Sequence, residues 1–110
     1  MLLSQVRQGD SRTLRVLVRT LNDDYLDLTG YQEAHLDLYV NQDDVTPALV
    51  LSTTVPAQGI FADRLQGTLE FYLTPTQTTT LSRRQYFVFV TLRYDINHVY
   101  TVHKSLLQIV

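Results

Sequence analysis

Apolar and polar side chains alternate along most of this chain, in short runs separated by residues that favour turns. The clearest run covers residues 86–94, where aromatic or aliphatic side chains occupy both sets of alternate positions. Alternation at a period of two places successive side chains on opposite faces of a β-sheet. A strand that is apolar on both faces is usually covered on both, so we predict that 86–94 is a central strand.

Six further extended segments carry this kind of pattern, although some alternate only in part. The predicted strands are residues 2–7, 12–20, 33–41, 48–55, 67–74, 86–94 and 99–110. Many short strands in one small chain indicate a β-sandwich or a barrel. The side chains predicted to fill a core between two sheets are Leu14, Val16, Val18, Leu36, Leu38, Val40, Leu69, Phe71, Leu73, Val88 and Val90.

The connections between these segments have the composition of turns. Asn and Asp tolerate left-handed backbone and hydrogen-bond their own main chain, which favours turns at 22–24 and 42–44 and a hairpin at 95–98. Residues 25–30 are expected to form a short extended piece that ends on a glycine. Residues 56–66 contain proline and glycine without a clear period, and we predict that they form a loop.

One short helical turn is predicted between the fifth and sixth strands. Thr74 is suited to cap a helix that has Pro75 at its first position, and Gln77 completes a capping box. The threonines that follow have weak helix propensity, so we expect the helix to end near Leu81.

Tyr86 begins the strand after this turn, five residues after Leu81. This placement resembles the corner tyrosine of immunoglobulin-like sandwiches, whose hydroxyl bonds to backbone upstream in the chain. We therefore expect a structural role for Tyr86, with its ring buried and its hydroxyl bonded to backbone near Thr79 or Thr80.

Composition and charge limit the function classes without identifying one. At 110 residues, with 45% hydrophobic and 18% charged residues, the chain fits one globular domain that spans 1–110. A net charge of −2 gives no basic surface for nucleic acid or an anionic membrane. The absence of cysteine excludes disulfides and fits folding in a reducing cytoplasm. The sequence has neither the pattern of a signal peptide nor a stretch of about 20 apolar residues, so we expect no membrane insertion.

Histidines and paired aspartates are the residues that most resemble metal ligands. His35, His98 and His103 lack the HExxH or His–Cys spacing of a zinc site, which needs three or four converging ligands. The pairs at 23–24 and 43–44 lack the spaced carboxylates that wrap a calcium ion. We therefore expect surface histidines, turn-forming aspartates, and neither a metal nor a cofactor.

Catalytic motifs are also missing from the sequence. There is no G-x-S-x-G nucleophile elbow, no glycine-rich phosphate loop, and a single lysine, Lys104. Glu33, Glu70 and the aspartates stay open as a glycosidase-type carboxylate pair, although small sandwiches rarely enclose a substrate cleft. We expect no enzymatic activity, and a small hydrolase is the least favoured function.

The segment 57–65 is the part of the sequence that a β-sandwich explains least. Ile60, Phe61 and Leu65 are apolar side chains within a predicted loop. They either cover one end of the sandwich or contact a partner protein, and both interpretations stay open. These three residues are the predicted partner contacts. Seven tyrosines and four phenylalanines also leave open a surface that stacks on sugars, although core packing explains most of them more simply.

Two turn motifs, each ahead of a predicted strand, resemble a known family. They are Gln8-Gly9-Asp10-Ser11 and Asp27-Leu28-Thr29-Gly30-Tyr31. This "GD(S/T) … DLTG" layout resembles small β-sandwich domains in the virions of tailed bacteriophages, most closely the N-terminal domain of siphophage upper baseplate proteins. Later segments are similar too: Gly67 to Phe71, Leu81, Tyr86 to Val90, and a last strand that begins near Thr101.

The resemblance implies an all-β fold, a single immunoglobulin-like antiparallel β-sandwich of about seven strands without catalytic residues. It implies a structural subunit of the virion, made in the host cytoplasm, that docks by protein–protein contacts at the tail or baseplate and forms a homo-oligomer there. Baseplate proteins carry such a domain ahead of fibre-forming sequence, whereas this sequence ends at Val110, so we expect a separate subunit. Capsid decoration or cementing, and binding to a receptor or carbohydrate, are the alternatives.

Overall fold

The structure, a computed structural model, describes residues 2–110, with side chains from residue 4 onward. It contains eight strands and one short helix along these residues. The elements are β1 (Leu2–Val6), β2 (Arg12–Leu17), β3 (Glu33–Tyr39), β4 (Leu49–Ser52), β5 (Gly59–Asp63), β6 (Thr68–Leu73), α1 (Pro75–Thr80), β7 (Gln85–Asp95) and β8 (His98–Ile109).

The strands form two sheets, which confirms an all-β, sandwich-like arrangement. The large sheet has five strands in the order β1-β8-β7-β3-β4, and the small sheet has three in the order β2-β6-β5. β7 is the middle strand of the large sheet, as its apolar pattern on both faces predicted. The count is eight strands, one more than predicted, because β5 forms within the expected loop.

The large sheet is mixed, so the expectation of a purely antiparallel sandwich is wrong in this respect. β1 pairs with β8 in the parallel direction, whereas the other neighbours in both sheets are antiparallel. The chain leaves β1 at the same end of the sheet at which β8 finishes, where the Gln8 N–H donates to the Val110 carbonyl at 3.0 Å. Both strands therefore run in the same direction, and β2 continues in the small sheet.

One hydrophobic cluster, built from alternate positions of strands in both sheets, forms the core. All of the predicted core side chains are buried except Val40, which is half-buried just beyond the end of β3. Phe71 and Val88 are fully buried, as expected. Buried side chains that the pattern did not single out include Val6, Leu28, Ala34, Leu51, Leu92, Leu107 and Ile109.

The helix is capped as the sequence predicts. The Thr74 hydroxyl accepts a hydrogen bond from the Gln77 N–H at 3.2 Å, and the Gln77 side chain accepts one from the Thr74 N–H at 3.0 Å. Pro75 is the first helical residue, and Leu81 is the C-cap. The helix therefore has a defined start and stop despite its row of threonines.

The Gly-Asp turn after β1 is fixed by this helix. The buried Thr78 hydroxyl accepts a hydrogen bond from the Gly9 N–H at 3.0 Å and donates one to the Asp10 carbonyl at 2.8 Å. Gly9 has a φ of 87°, a left-handed conformation that favours glycine. The first motif of the resemblance therefore has a structural role here.

Residues 25–30 form no strand of their own, although Tyr25 makes an isolated antiparallel bridge with Arg19 and the segment ends in a turn at Gly30. The Thr29 N–H donates to the Asp27 carboxylate at 2.9 Å, which makes a tight turn and lowers the pKa of Asp27. Leu28 is fully buried, and Gly30 has a φ of 93°. A Cβ at Gly30 would lie 3.1 Å from the ring of Tyr94, so the second motif also has a structural role. The hydrogen bond to the Asp27 side chain turns the chain before a longer strand can form.

Tyr86 is buried at the start of β7, with 2% of its surface exposed. Its hydroxyl donates to the Ser82 carbonyl at 3.1 Å. The predicted acceptor near Thr79 or Thr80 is therefore wrong by two or three positions. Those threonines lie in α1, where their own hydroxyls bond to helix carbonyls, and Ser82 is the first residue past the C-cap.

Candidate interaction surface

Residues 57–65 are not one loop, because 59–63 form β5, an edge strand of the small sheet. β5 pairs with β6, and Gly59 lies opposite Phe71. A Cβ at Gly59 would come within 2.8 Å of the Phe71 ring, so only glycine permits this approach without a shift. The pairing becomes irregular after Phe61, and residues 59–63 show no alternation of apolar and polar side chains that would predict a strand.

The three predicted contact residues lie in different surroundings. Ile60 is 37% exposed, in register with Glu70 of β6. Phe61 is half-buried and packs against the core. Leu65 is 66% exposed in the turn between β5 and β6. Phe61 therefore covers the sandwich, whereas Ile60 and Leu65 are accessible to a partner.

Arg64 holds this region to the rest of the sandwich, and the sequence pattern did not identify it. Its guanidinium lies 3.9 Å from the centre of the Phe61 ring. The same group donates hydrogen bonds to the carbonyls of Leu28 and Tyr31, at 3.0 and 2.9 Å. The Leu28 N–H in turn donates to the Arg64 carbonyl at 2.7 Å. A charged side chain that satisfies two carbonyls and stacks on an aromatic ring fixes the segment in place.

Arg64 is part of a larger surface, which we call the loop end, where residues 17–31, 63–67 and 94–100 meet. Besides the contacts of Arg64, the rings of Tyr31 and Tyr94 pack edge to face, with their centres 5.8 Å apart. The loop end therefore combines the β2–β3 connection, the β5–β6 turn and the tip of the β7–β8 hairpin.

Exposed apolar side chains are concentrated at the loop end. Among residues whose side chains the structure describes, eight of the thirteen exposed large hydrophobic ones lie there. Single exposed apolar side chains are normal, whereas several at one end of a domain make that end a candidate for contact with a partner. The eight are Leu17, Leu21, Tyr25, Leu65, Tyr94, Ile96, Val99 and Tyr100.

The hairpin tip is the part of this surface that the sequence pattern missed. Ile96 is 85% exposed, and Val99 and Tyr100 are about half exposed although they occupy adjacent positions of β8. Adjacent strand positions point to opposite faces, so this stretch of β8 is uncovered on both. One signal was present, since Ile96 is an apolar residue at a turn position between Asp95 and Asn97.

Two open depressions flank the small sheet. One, about 410 Å³, borders the loop end and is lined by Arg15, Leu17, Tyr25, Asp63, Gln66 and Thr68. The other, about 520 Å³, is lined by residues 11–13 and 72–75. Both are open to solvent and have mixed polar and apolar walls, which suits contact with a macromolecule better than enclosure of a small substrate.

Polar side chains form pairs and do not converge on an ion. Within residues 2–110, no group of three His, Asp or Glu side chains is placed to hold a metal. His98 lies 2.7 Å from the Asp95 carboxylate, and this hydrogen bond lowers the pKa of Asp95. His35 lies 3.0 Å from Asp37, and that hydrogen bond raises the pKa of His35. The aspartates at 23–24 and 43–44 lie in exposed turns, as predicted.

The carboxylates of Glu33 and Glu70 lie on the outer faces of different sheets. Their neighbours along β3 and β6 are the buried core residues, so these side chains point away from the core on opposite sides of the sandwich. Burial raises the pKa of Glu33, but hydrogen bonds from Arg93 and Ser52 outweigh it and the pKa is lowered. Glu33 is therefore a paired, ionised carboxylate, and it cannot act on one substrate together with Glu70.

No protein-family model matches this chain, and no curated protein sequence matches it. No helix within residues 2–110 is long and apolar enough to cross a membrane. What bears on function is therefore the surface of this sandwich-like domain and the resemblance of its turn motifs.

Proposed function

We propose that this chain is a non-enzymatic structural subunit of a tailed-phage virion. In this proposal it acts as an adaptor that docks by protein–protein contacts at the tail or baseplate. The resemblance of the two turn motifs supplies the virion context. We propose that its partners are other virion proteins and further copies of the same chain.

The main support for a docking role is the set of exposed apolar side chains at the loop end. Eight exposed large hydrophobic side chains lie there, and Ile96 and Leu65 are the most exposed of those on the hairpin tip and the β5–β6 turn. Apolar and aromatic anchors of this kind dominate the energetics of protein interfaces. Arg64 holds the β5–β6 turn in one conformation, which reduces the entropy lost when a partner binds.

We also propose that the sandwich is immunoglobulin-like. The neighbours β3-β7-β8 and β2-β6-β5 follow the order of strands C-F-G and B-E-D in immunoglobulin domains. β4 beside β3 corresponds to the extra strand of variable-type domains. The buried Tyr86, whose hydroxyl bonds four residues upstream, matches the corner tyrosine of that fold.

Incorporation into particles tests the docking role. We would replace the gene in the phage genome by one that encodes both Leu65→Ser and Ile96→Ser. Quantitative mass spectrometry would then measure the amount of the subunit in purified particles. We expect incorporation to fall about tenfold or more, because two exposed apolar anchors are lost together. Ile60→Ser would test separately whether the edge strand β5 contributes.

The matched control is Val45→Ser, which removes an even more exposed apolar side chain from the β3–β4 turn, away from the loop end. Circular dichroism would verify that each variant is folded. Normal incorporation of the double variant would exclude the loop end as the docking surface. Absence of the wild-type subunit from particles, or tight binding of a glycan by the isolated chain, would contradict the virion role itself.

A further inference from the structure

The outer face of the large sheet carries a second apolar cluster, separate from the loop end. Side chains on this face alternate with core residues along β3, β7 and β8. Tyr39 and Phe89 pack edge to face with ring centres 5.5 Å apart. Phe87 and Leu106 lie opposite each other in the β7–β8 register, and Phe87 is also opposite Tyr39. These four side chains are half-buried.

A row of three residues crosses this cluster and carries opposite charges at its ends. Asp37 of β3 pairs with Phe89 of β7, which pairs with Lys104 of β8. The Lys104 ammonium lies 5.8 Å from the centre of the Phe89 ring. The Asp37 carboxylate is held in place by hydrogen bonds with His35 at 3.0 Å and from the Tyr39 hydroxyl at 3.4 Å. The Phe89 ring therefore has an acidic side chain, Asp37, on the neighbouring strand on one side and a basic side chain, Lys104, on the neighbouring strand on the other side.

We propose that this face binds the same face of a second copy of the chain, in a symmetric dimer. A two-fold axis that lies between the faces and runs along β7 places each strand opposite the strand on the other side of β7 in the second copy. Phe89 then meets its own counterpart, while Asp37 of each copy meets Lys104 of the other. Two identical sets of opposite charges are formed, as an isologous interface requires.

The neighbouring row fits the same axis. Tyr39 of one copy meets Leu106 of the other, and Phe87 meets its counterpart, so the apolar centre is continuous. Arg93 of β7 approaches its own counterpart, and its charge is neutralised by Glu33 at 2.9 Å. Sheets packed face to face diverge by about 30°, which separates the ends of the strands, where Arg93 lies, more than the centre.

The position of β7 supports a second copy over an unrelated partner. β7 is the middle of five strands, so the axis leaves two strands on each side, and each strand of one copy faces a strand of the other. Five strands about 4.8 Å apart and about six residues long give a face of roughly 480 Å². A standard interface buries about 800 Å² per partner, so we expect a weak dimer with a dissociation constant in the micromolar range. The proposed function includes further copies of the chain as partners, and this inference rests on it to that extent; it depends neither on the loop end nor on the virion role, because the dimer is tested in solution.

Sedimentation equilibrium of the full chain, together with a charge swap, tests the dimer. Lys104→Glu places two carboxylates together at each contact, and Asp37→Lys places two ammonium groups together. We expect each variant alone to dissociate about tenfold or more readily than the wild type. An equimolar mixture should dimerise as the wild type does, because both contacts in the mixed pair again join opposite charges. Arg15→Glu, on the outer face of the small sheet, is the control and should leave the dimer unchanged.

Cross-linking of the wild type gives a measurement that needs no variant. Lys104 is the only lysine of the chain, so carbodiimide should yield a dimer whose mass spectrum shows a Lys104–Asp37 link between copies. A wild type that stays monomeric at about 1 mM would overturn the proposal. So would a mixture of folded variants that does not dimerise, or a dimer cross-linked through other carboxylates only.

Discussion

At the scale of single residues, a few hydroxyl groups fix how the chain turns between sheets. The Thr78 hydroxyl joins α1 to the turn after β1, with one bond accepted and one donated to that turn. The Tyr86 hydroxyl donates a hydrogen bond to the Ser82 carbonyl and so fixes the turn between α1 and β7. Each of these groups satisfies main-chain atoms that have no partner in a sheet, which is how irregular connections are made definite.

Tyr86→Phe should destabilise the protein only mildly. Ser82 is exposed, so its carbonyl can accept a hydrogen bond from water when the hydroxyl is removed. We expect a loss of about 1 kcal/mol in the free energy of unfolding, measured with urea. Tyr86→Ala removes the buried ring as well and serves as the comparison. A loss for Tyr86→Phe as large as that for Tyr86→Ala would show that this account of the corner is wrong.

His35 and His103 should change stability in opposite directions with pH. A hydrogen bond with Asp37 raises the pKa of His35, so its contribution is present at acidic pH and is lost as the pH rises through its folded pKa. Burial lowers the pKa of His103, so the unfolded chain binds its proton more readily and stability falls as the pH drops below about 6.5.

Urea unfolding at pH 8 and pH 5 distinguishes the two histidines. Compared with the wild type, His103→Gln should lose less stability on acidification, and His35→Gln should lose more. The same pH dependence in both variants would contradict the assignment of opposite shifts.

At the scale of elements, the regularity of the apolar and polar pattern decided which strands the sequence predicted. β7 and β8, with 11 and 12 residues, and the capped helix were predicted from period and capping alone. β5 has five residues, ends in an irregular pairing and depends on Gly59 lying against Phe71, a contact that no local pattern encodes. The loop end was not predicted either, because its side chains come from three segments that are distant in sequence.

Arg64 connects two of these segments, 17–31 and 63–67, so its removal should loosen the loop end. Arg64→Gln loses two charged hydrogen bonds to carbonyls and the contact with Phe61. We expect a loss of about 1.5–3 kcal/mol in stability. Hydrogen exchange should accelerate most for the amides of residues 26–31. Arg15→Gln on the outer face of the small sheet is the control, and a uniform acceleration in both variants would refute a local role for Arg64.

At the scale of the whole molecule, the two sheets share one core, and their contact should govern stability. The alternation of Leu14, Val16, Leu36 and Leu38 was sufficient to predict which faces meet, because period two sets the buried face of a strand directly. It was not sufficient to predict the parallel pairing of β1, since alternation carries no information on strand direction. That direction depends on hydrogen bonds between the two ends of the described chain.

Phe71→Ala should test how far the sheets depend on each other. Among the side chains that the structure describes, Phe71 is the largest that is fully buried, and its replacement should lower the free energy of unfolding by about 3–5 kcal/mol. Ile60→Ala, on the adjacent edge strand but exposed, should change it by less than about 0.5 kcal/mol. Similar small losses for both variants would show that the core does not extend between the sheets as described.

The parallel pairing of β1 with β8 has a mechanical consequence. A tensile force applied through the outer ends of these two strands, at Leu2 and at Ile109, pulls them in opposite directions along their length. The main-chain hydrogen bonds of the pair then carry the load together, whereas antiparallel terminal strands would peel apart one bond at a time. We therefore expect β1 and β8 to separate only when the hydrogen bonds between them break together, which requires a higher force than breaking them one at a time.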